Sequence, residues 1–325
     1  MASSNRFTSL SFWFKSALMV SVVWLIYKFL QQGRVEIPQL INRLHNADRM
    51  WLLIGVLLSF VFIFLQGEMY IWALRSVSEN VPRRLAILLY LKRNFVSVFL
   101  PVGSISSLAA FSQDVENQGI VKLKMSAASA IYLVAGIVTL WVIAIPILIF
   151  TAQSQRIDGV AYVSLLVLTV LLVGVFFLVI NLKNKGKTYG LLTKYAPKIA
   201  SQIHQLLATP MNRKALIMVN LASLGLEIVG ILLLFVSIYA IGLDIAWLIP
   251  CLAYTIATLI LYVAPVARGV GAIELSLIYI LTQNGIDDNS ALTVTLLYRF
   301  FGFWWPLVLG GLSFIPILRP KKVKA

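Results

Sequence analysis

The sequence predicts an all-α polytopic membrane protein, a helical bundle with two re-entrant or broken-helix hairpins. Three observations point there. Of the 325 residues, 60% are hydrophobic and 12% charged, where a soluble domain is about half apolar and about a quarter charged. Several apolar runs exceed the roughly 18 to 20 residues that cross a bilayer. Two further apolar regions are interrupted by residues that a span disfavours. One of them, "VAPVARGVGAIELSL" from Val263 to Leu277, contains a proline, two glycines, an arginine and a glutamate.

In chain order, spans are expected at Phe12–Leu30, Met50–Leu74, Met125–Phe150, Val160–Leu182, Ala215–Ile241 and Ala291–Leu318. Arg6 and Lys15 before the first resemble the start of a signal peptide. No small-x-small cleavage site follows, so an uncleaved span is expected. The interrupted regions are Leu85–Ser112, broken at "FLPVGSISSL", and Trp247–Thr282, broken at "VAPVARGVGAIEL".

Orientation follows from basic residues in short loops, which stay on the cytoplasmic side. Lys183 to Lys214 holds seven basic residues and no acid, and the tail "RPKKVKA" holds four more. Arg75, Arg83 and Arg84 mark a third cytoplasmic loop. Thr151–Gly159, Gly242–Ala246 and the acidic "NGIDDNS" from Asn284 to Ser290 are expected outside. Both termini are then cytoplasmic. In the same reading the net charge of +15 reflects this sidedness, and no nucleic-acid partner is expected. The basic stretch from Lys183 reads as a surface-lying helix suited to anionic lipids.

Parity makes each interrupted region a hairpin entering and leaving on one face, or else a pair of short spans. The two breaks look like counterparts, Pro265 repeating Pro101. Upstream of them, Glu68 and Glu227 sit in two spans at a similar, slightly shorter spacing. A single membrane domain, 1–325, would then hold one half at about 50–150 and an inverted half at about 215–318, joined through the cytoplasmic loop 183–214. In transporters such repeats place the substrate site near the midplane, between broken helices.

The breaks have a physical use. Pro265 removes an N–H, and Gly269 and Gly271 let the chain turn or approach another group closely. Backbone groups freed at membrane depth need protein or a water-filled cavity as partner. A half-helix end beside Arg268 favours an anion such as a lipid phosphate. The plainer reading is a packing kink with a snorkelling arginine. Pro101 and Gly103 make the corresponding break in the first half. Ionisable groups in spans cost about 2.5 kcal/mol or more at the centre of an isolated helix and usually face the bundle interior. Arg299, eight to nine residues into its span, is therefore expected to pair with Glu274 or Glu227. That constellation meets a head group, or is a structural ion pair only. The tryptophans read as interfacial belt or lipid-facing bulk.

One cysteine, Cys251, and two distant histidines, His45 and His204, give no disulfide framework, no metal site and little for histidine catalysis. No Walker, HExxH or GxSxG motif occurs, so no cofactor and no ATP-driven pump or familiar hydrolase is expected.

"PVARGVGAIE" at Pro265–Glu274 resembles the P-x-P-G-G-x-G-x-x-E signature of the lysylphosphatidylglycerol synthase transmembrane, or flippase-like domain, family. "LLYRFFGFWWPL" resembles that family's last span, and "RNFVSVFLPVGSISSL" its first broken segment. Residue by residue, Pro265, Gly269, Gly271 and Glu274 match the signature, and Tyr298 and Arg299 the last span. Ala267 and Arg268 stand where the family has proline and glycine, and "SISSLAAF" lacks its glycine–aspartate and arginine. The resemblance implies a helical bundle in two related halves in the bacterial inner membrane, without the soluble aminoacyl-transferase domain of two-domain members. It implies a flippase moving an anionic or polyprenyl-linked lipid, with membrane lipids as partners and no enzymatic activity. A membrane-embedded lipid-modifying enzyme with Glu274 as base, and a non-transporting scaffold for envelope lipid enzymes, are the alternatives. The sequence is silent on oligomeric state.

Overall fold

The computed structural model describes residues 45–97, 122–152, 211–263 and 271–314, with residues 42–43, residue 120 and separated positions between 163 and 194. The chain divides into two compact units, Met1–Asn46 and Ala47–Ala325. The second is built from α1 (Arg49–Ser76), α2 (Arg83–Ser97), α3 (Lys122–Ala152), α4 (Arg213–Ala240), α5 (Leu248–Val263), α6 (Ala272–Gln283), α7 (Asp288–Arg299), a π-helical turn (Phe300–Trp304) and α8 (Trp305–Leu312). The described positions between 163 and 183 are helical too, and no strand occurs among the described residues. The span expected at Phe12–Leu30, the break "FLPVGSISSL" with Pro101 and Gly103, the residues Pro265, Arg268 and Gly269, and the basic tail lie outside the described residues.

Four stretches are long and apolar enough to cross a bilayer: Arg49–Ser76, Lys124–Thr151, Arg213–Ala240 and Asp288–Leu312. Their positions match four of the expected spans. The chain is thus an all-α, multi-pass membrane protein. Its lipid-facing surface is apolar because no water competes there. On α1 that face carries Leu53, Leu57, Phe60 and Phe64, and on α4 it carries Ile217, Leu221, Ile228 and Leu232.

Helices α1 and α4, each of 28 residues, form the most extensive helix pair. They run antiparallel, and each caps the other. The Asp48 N–H at the start of α1 donates to Ala240 O at the end of α4 over 2.8 Å. The Asn212 N–H at the start of α4 donates to Ser76 O at the end of α1 over 3.2 Å. Asp48 and Asn212 are also the two N-caps, accepting from Met50 N at 2.8 Å and Ala215 N at 3.2 Å. Each thus satisfies an orphan donor on its own helix and an orphan carbonyl on the other.

One offset relates the two helices throughout, the offset that carries Pro101 onto Pro265. It carries Asp48 onto Asn212, Ser76 onto Ala240 and the buried Ser59 onto the buried Ser223. It also carries the lipid-facing Leu53, Leu57 and Phe64 onto the lipid-facing Ile217, Leu221 and Ile228. It does not carry Glu68 onto Glu227, so the equivalence of these glutamates expected from sequence does not hold. Glu68 falls opposite Leu232, and it pairs instead with Arg83, Oε1 to Nε 2.5 Å, at the start of α2.

The ends of the bundle differ in charge. The Asn212–Ser76 bond and the Lys124–Glu79 ion pair (2.6 Å) bring the end of α1 and the starts of α3 and α4 together. Arg75, Arg83, Arg84, Lys124, Arg213 and Lys214 therefore share one end. At the other, Ile241, Leu243, Ile245, Leu148 and Ile286 pack in one cluster, which groups the loops carrying Asp244, Asp287 and Asp288.

Losing an N-cap side chain costs about 1 kcal/mol. Asp48→Ala and Asn212→Ala are each expected to lower the unfolding midpoint in detergent, measured by thermal scanning. Because the two caps sit at opposite ends of one helix pair, without shared partners, the losses should add in the double variant.

Candidate functional site

Helices α5 and α6 pack against each other and flank the break at 264–270. At about 1.5 Å per residue they are about 24 and 18 Å long, against a hydrocarbon thickness of about 30 Å. The start of α5 and the end of α6 belong to one cluster, through Ile249, Ile280, Leu281 and Ile286.

Gly271 is the N-cap of α6, and its φ of +89° and ψ of −48° suit glycine and almost no L-residue. A Cβ there would meet nothing within 4 Å. Of the two uses that the sequence allowed this glycine, the turn is the one seen; no close approach is made to any of the described residues. Three residues on, Glu274 reaches back, its Oε2 accepting the Gly271 N–H at 2.7 Å. A carboxylate in the first turn also meets the positive end of the helix.

The other oxygen of Glu274 faces Arg299. Nε and Oε1 are 2.6 Å apart, and both residues are only 5% exposed. The N–H is not directed at the oxygen: Nε and Nη2 both lack a hydrogen-bond acceptor among the described residues, so this is an ion pair by distance rather than a hydrogen bond. The guanidinium also lies 4.0 Å from the centre of the Phe303 ring, a contact worth about 2 kcal/mol when dry. Arg299 is the last residue of α7, directly before the π-helical turn. Such turns recur at functional sites because they open the hydrogen-bond ladder. Here Ser59 Oγ sits 2.9 Å from Phe301 O and 2.9 Å from Gly55 O, tying the turn to α1.

Arg299 forms part of the wall of a cavity of about 200 Å³ inside the bundle. Gln66, Tyr90, Tyr254, Thr258 and Tyr298 supply its other polar groups, with Phe62, Leu233, Ile273 and Phe303 among the apolar ones. Tyr254 donates to Glu227 Oε2 at 2.8 Å, which satisfies that buried carboxylate on α4. Gly230, on the same helix, leaves room for the Tyr254 ring; a Cβ there would come within 2.5 Å of the phenol oxygen. Tyr132 donates to Gln66 Oε1 from the far side. Two wall tyrosines, Tyr90 on α2 and Tyr254 on α5, are again related by the offset of the two prolines.

Of the residues singled out from sequence, Glu274, Tyr298 and Arg299 come together here, with Gly271 one hydrogen bond away. Glu227 stands behind Tyr254. Glu68 is not among the wall residues. The sequence reading missed Gln66, Tyr90, Gly230, Tyr254 and Thr258. The repeat offset applied to the "LLY" and "LAY" stretches would have found the two tyrosines.

A family model described as "Lysylphosphatidylglycerol synthase TM region" matches residues 12–310. The chain therefore belongs to that family, which groups membrane proteins of lipid metabolism or transport. No curated protein matches it.

Proposed function

We propose, from its membership of the lysylphosphatidylglycerol synthase TM region family, that this protein is a flippase that moves an anionic or polyprenyl-linked lipid across the bacterial inner membrane without chemical change. One observation supports this above the others. A buried arginine, balanced by a single carboxylate and with Nη2 lacking an acceptor among the described residues, stands in the wall of a cavity among membrane-crossing helices. A charged group at that depth is costly even when paired, and such groups mark paths for polar cargo. The common offset of α1 with α4, of Tyr90 with Tyr254 and of the two prolines supports an inverted repeat, with the α5–α6 pair as a re-entrant hairpin in its second half. The basic end is then cytoplasmic, as are both termini.

Reconstitution tests the reading. Vesicles holding the purified protein and a panel of fluorescent head-group lipids should show faster exchange between leaflets than protein-free vesicles for an anionic lipid. Equal rates across the whole panel defeat it. Orientation has its own test. In a Cys251→Ala background, a cysteine at Gly190 should resist a membrane-impermeant maleimide in intact cells and react after lysis. Labelling in intact cells would invert the bundle.

A further inference from the structure

Glu274 does two things at once: it caps α6 through Oε2 and balances Arg299 through Oε1. The first is a hydrogen bond of normal length. The second is an ion pair without hydrogen-bond alignment, and it leaves Nη2 of a 5%-exposed arginine without an acceptor among the described residues. A guanidinium has five donors in a planar fork, built for two parallel bonds to a carboxylate or phosphate. Here one carboxylate meets it at a single nitrogen. The adjoining space of about 200 Å³ has room for several waters or one small anionic group.

We propose that this cavity is an anion site whose resident counter-ion is Glu274, and that a phosphate-type group takes Arg299 by exchanging with that carboxylate. The inference rests on the transport reading and gives its cargo a chemistry: a phosphate that accepts from Arg299, with the side-chain amide of Gln66 in the same wall, while the Tyr254 and Thr258 hydroxyl protons stay on Glu227 and Tyr254 O. On exchange Oε1 of Glu274 is released while Oε2 still holds Gly271. When the anion leaves, the carboxylate returns and Arg299 is never left bare. A carboxylate whose main part is to hold Arg299 in place for the anion would, when removed, weaken anion binding. A competing carboxylate must oppose it.

That opposition is measurable. Glu274→Gln removes the competing charge, while its amide oxygen can still accept the Gly271 N–H. Titration calorimetry in neutral-detergent micelles, with dihexanoyl phosphatidic acid as probe, should then give binding about tenfold tighter than wild type or better. The same probe should raise the unfolding midpoint of the variant more than that of wild type, because it supplies the missing counter-charge. Arg299→Gln should lose binding by about tenfold or more, and dihexanoyl phosphatidylcholine should gain nothing from Glu274→Gln. Weaker or unchanged binding in Glu274→Gln overturns the exchange. Should that variant fold poorly alone, Glu274→Gln with Arg299→Gln strands no charge; binding of phosphatidic acid by this pair as tightly as by wild type overturns the site. Inorganic phosphate is the third probe. If it shows the same tenfold gain, the exchange stands and the cargo is free phosphate, which removes the lipid reading. If only the lipid shows it, both stand. If leaflet exchange fails while the tenfold gain appears, the transport reading falls and the anion site remains.

Discussion

Arg299→Leu is expected to lower stability by about 3–5 kcal/mol, the usual result of stranding one member of a buried ion pair. Glu274 would be left 5% exposed with no cation beside it. The loss should appear as a reduced unfolding midpoint and a reduced yield of monodisperse protein in detergent. Two second-site changes separate the carboxylates. Glu274→Gln in the Arg299→Leu background removes the stranded charge and keeps an acceptor for the Gly271 N–H, so most of the loss should return. Glu227→Leu in the same background should return none of it. Glu227 is satisfied by Tyr254, and its removal leaves that phenol unpaired. Equal rescue by both would place the charge compensation elsewhere in the bundle.

The choice between those glutamates marks the limit of what sequence can say here. That Arg299 needs a carboxylate was legible, because a cation deep in a span has few alternatives. Which carboxylate was not, because Glu227 and Glu274 are both span residues of the same half. Three-dimensional placement decides it. Glu274 sits at the third position of α6, where capping turns it toward the break, while Glu227 is claimed by a tyrosine from α5. The spans were legible because apolar length is a local property of the chain. In the structure three of them start at the N-caps Asp48, Asn212 and Asp287, within a few residues of the expected bounds.

The spacing of the two prolines is also the spacing that relates the caps of α1 to those of α4 and Tyr90 to Tyr254, whereas the spacing of the two glutamates is not. A glutamate in a span answers to whichever partner is near. Glu68 found Arg83 at the basic end, and its counterpart Leu232 faces lipid. The cavity was the least legible part. Its wall comes from α1, α2, α4, α5, α6, α7 and the π-helical turn, and aromatic residues in a membrane sequence read as bulk. The tyrosines acquire meaning only when the helices are assembled.

Gly271 is the position where backbone geometry rather than charge should decide the outcome. Gly271→Val is expected to cost about 1–3 kcal/mol, the range for holding a non-glycine residue in a sparsely populated region of φ and ψ. No described neighbour would be struck, since a Cβ meets nothing within 4 Å among the described residues; the penalty lies in the backbone. Relief requires φ to turn negative, which swings the Gly271 N–H away from Glu274 and detaches the start of α6 from the carboxylate that faces Arg299. Stability and the site should therefore fail together, and by different amounts for different residues. Alanine should cost less than valine, because β-branching narrows the backbone further. Asparagine, which tolerates positive φ better than most residues, should fall closest to wild type. A clash model gives another order, set by volume, with asparagine worse than alanine. Unfolding midpoints for the three variants distinguish the two orders. A ranking by volume alone would mean that Gly271 serves a close approach after all.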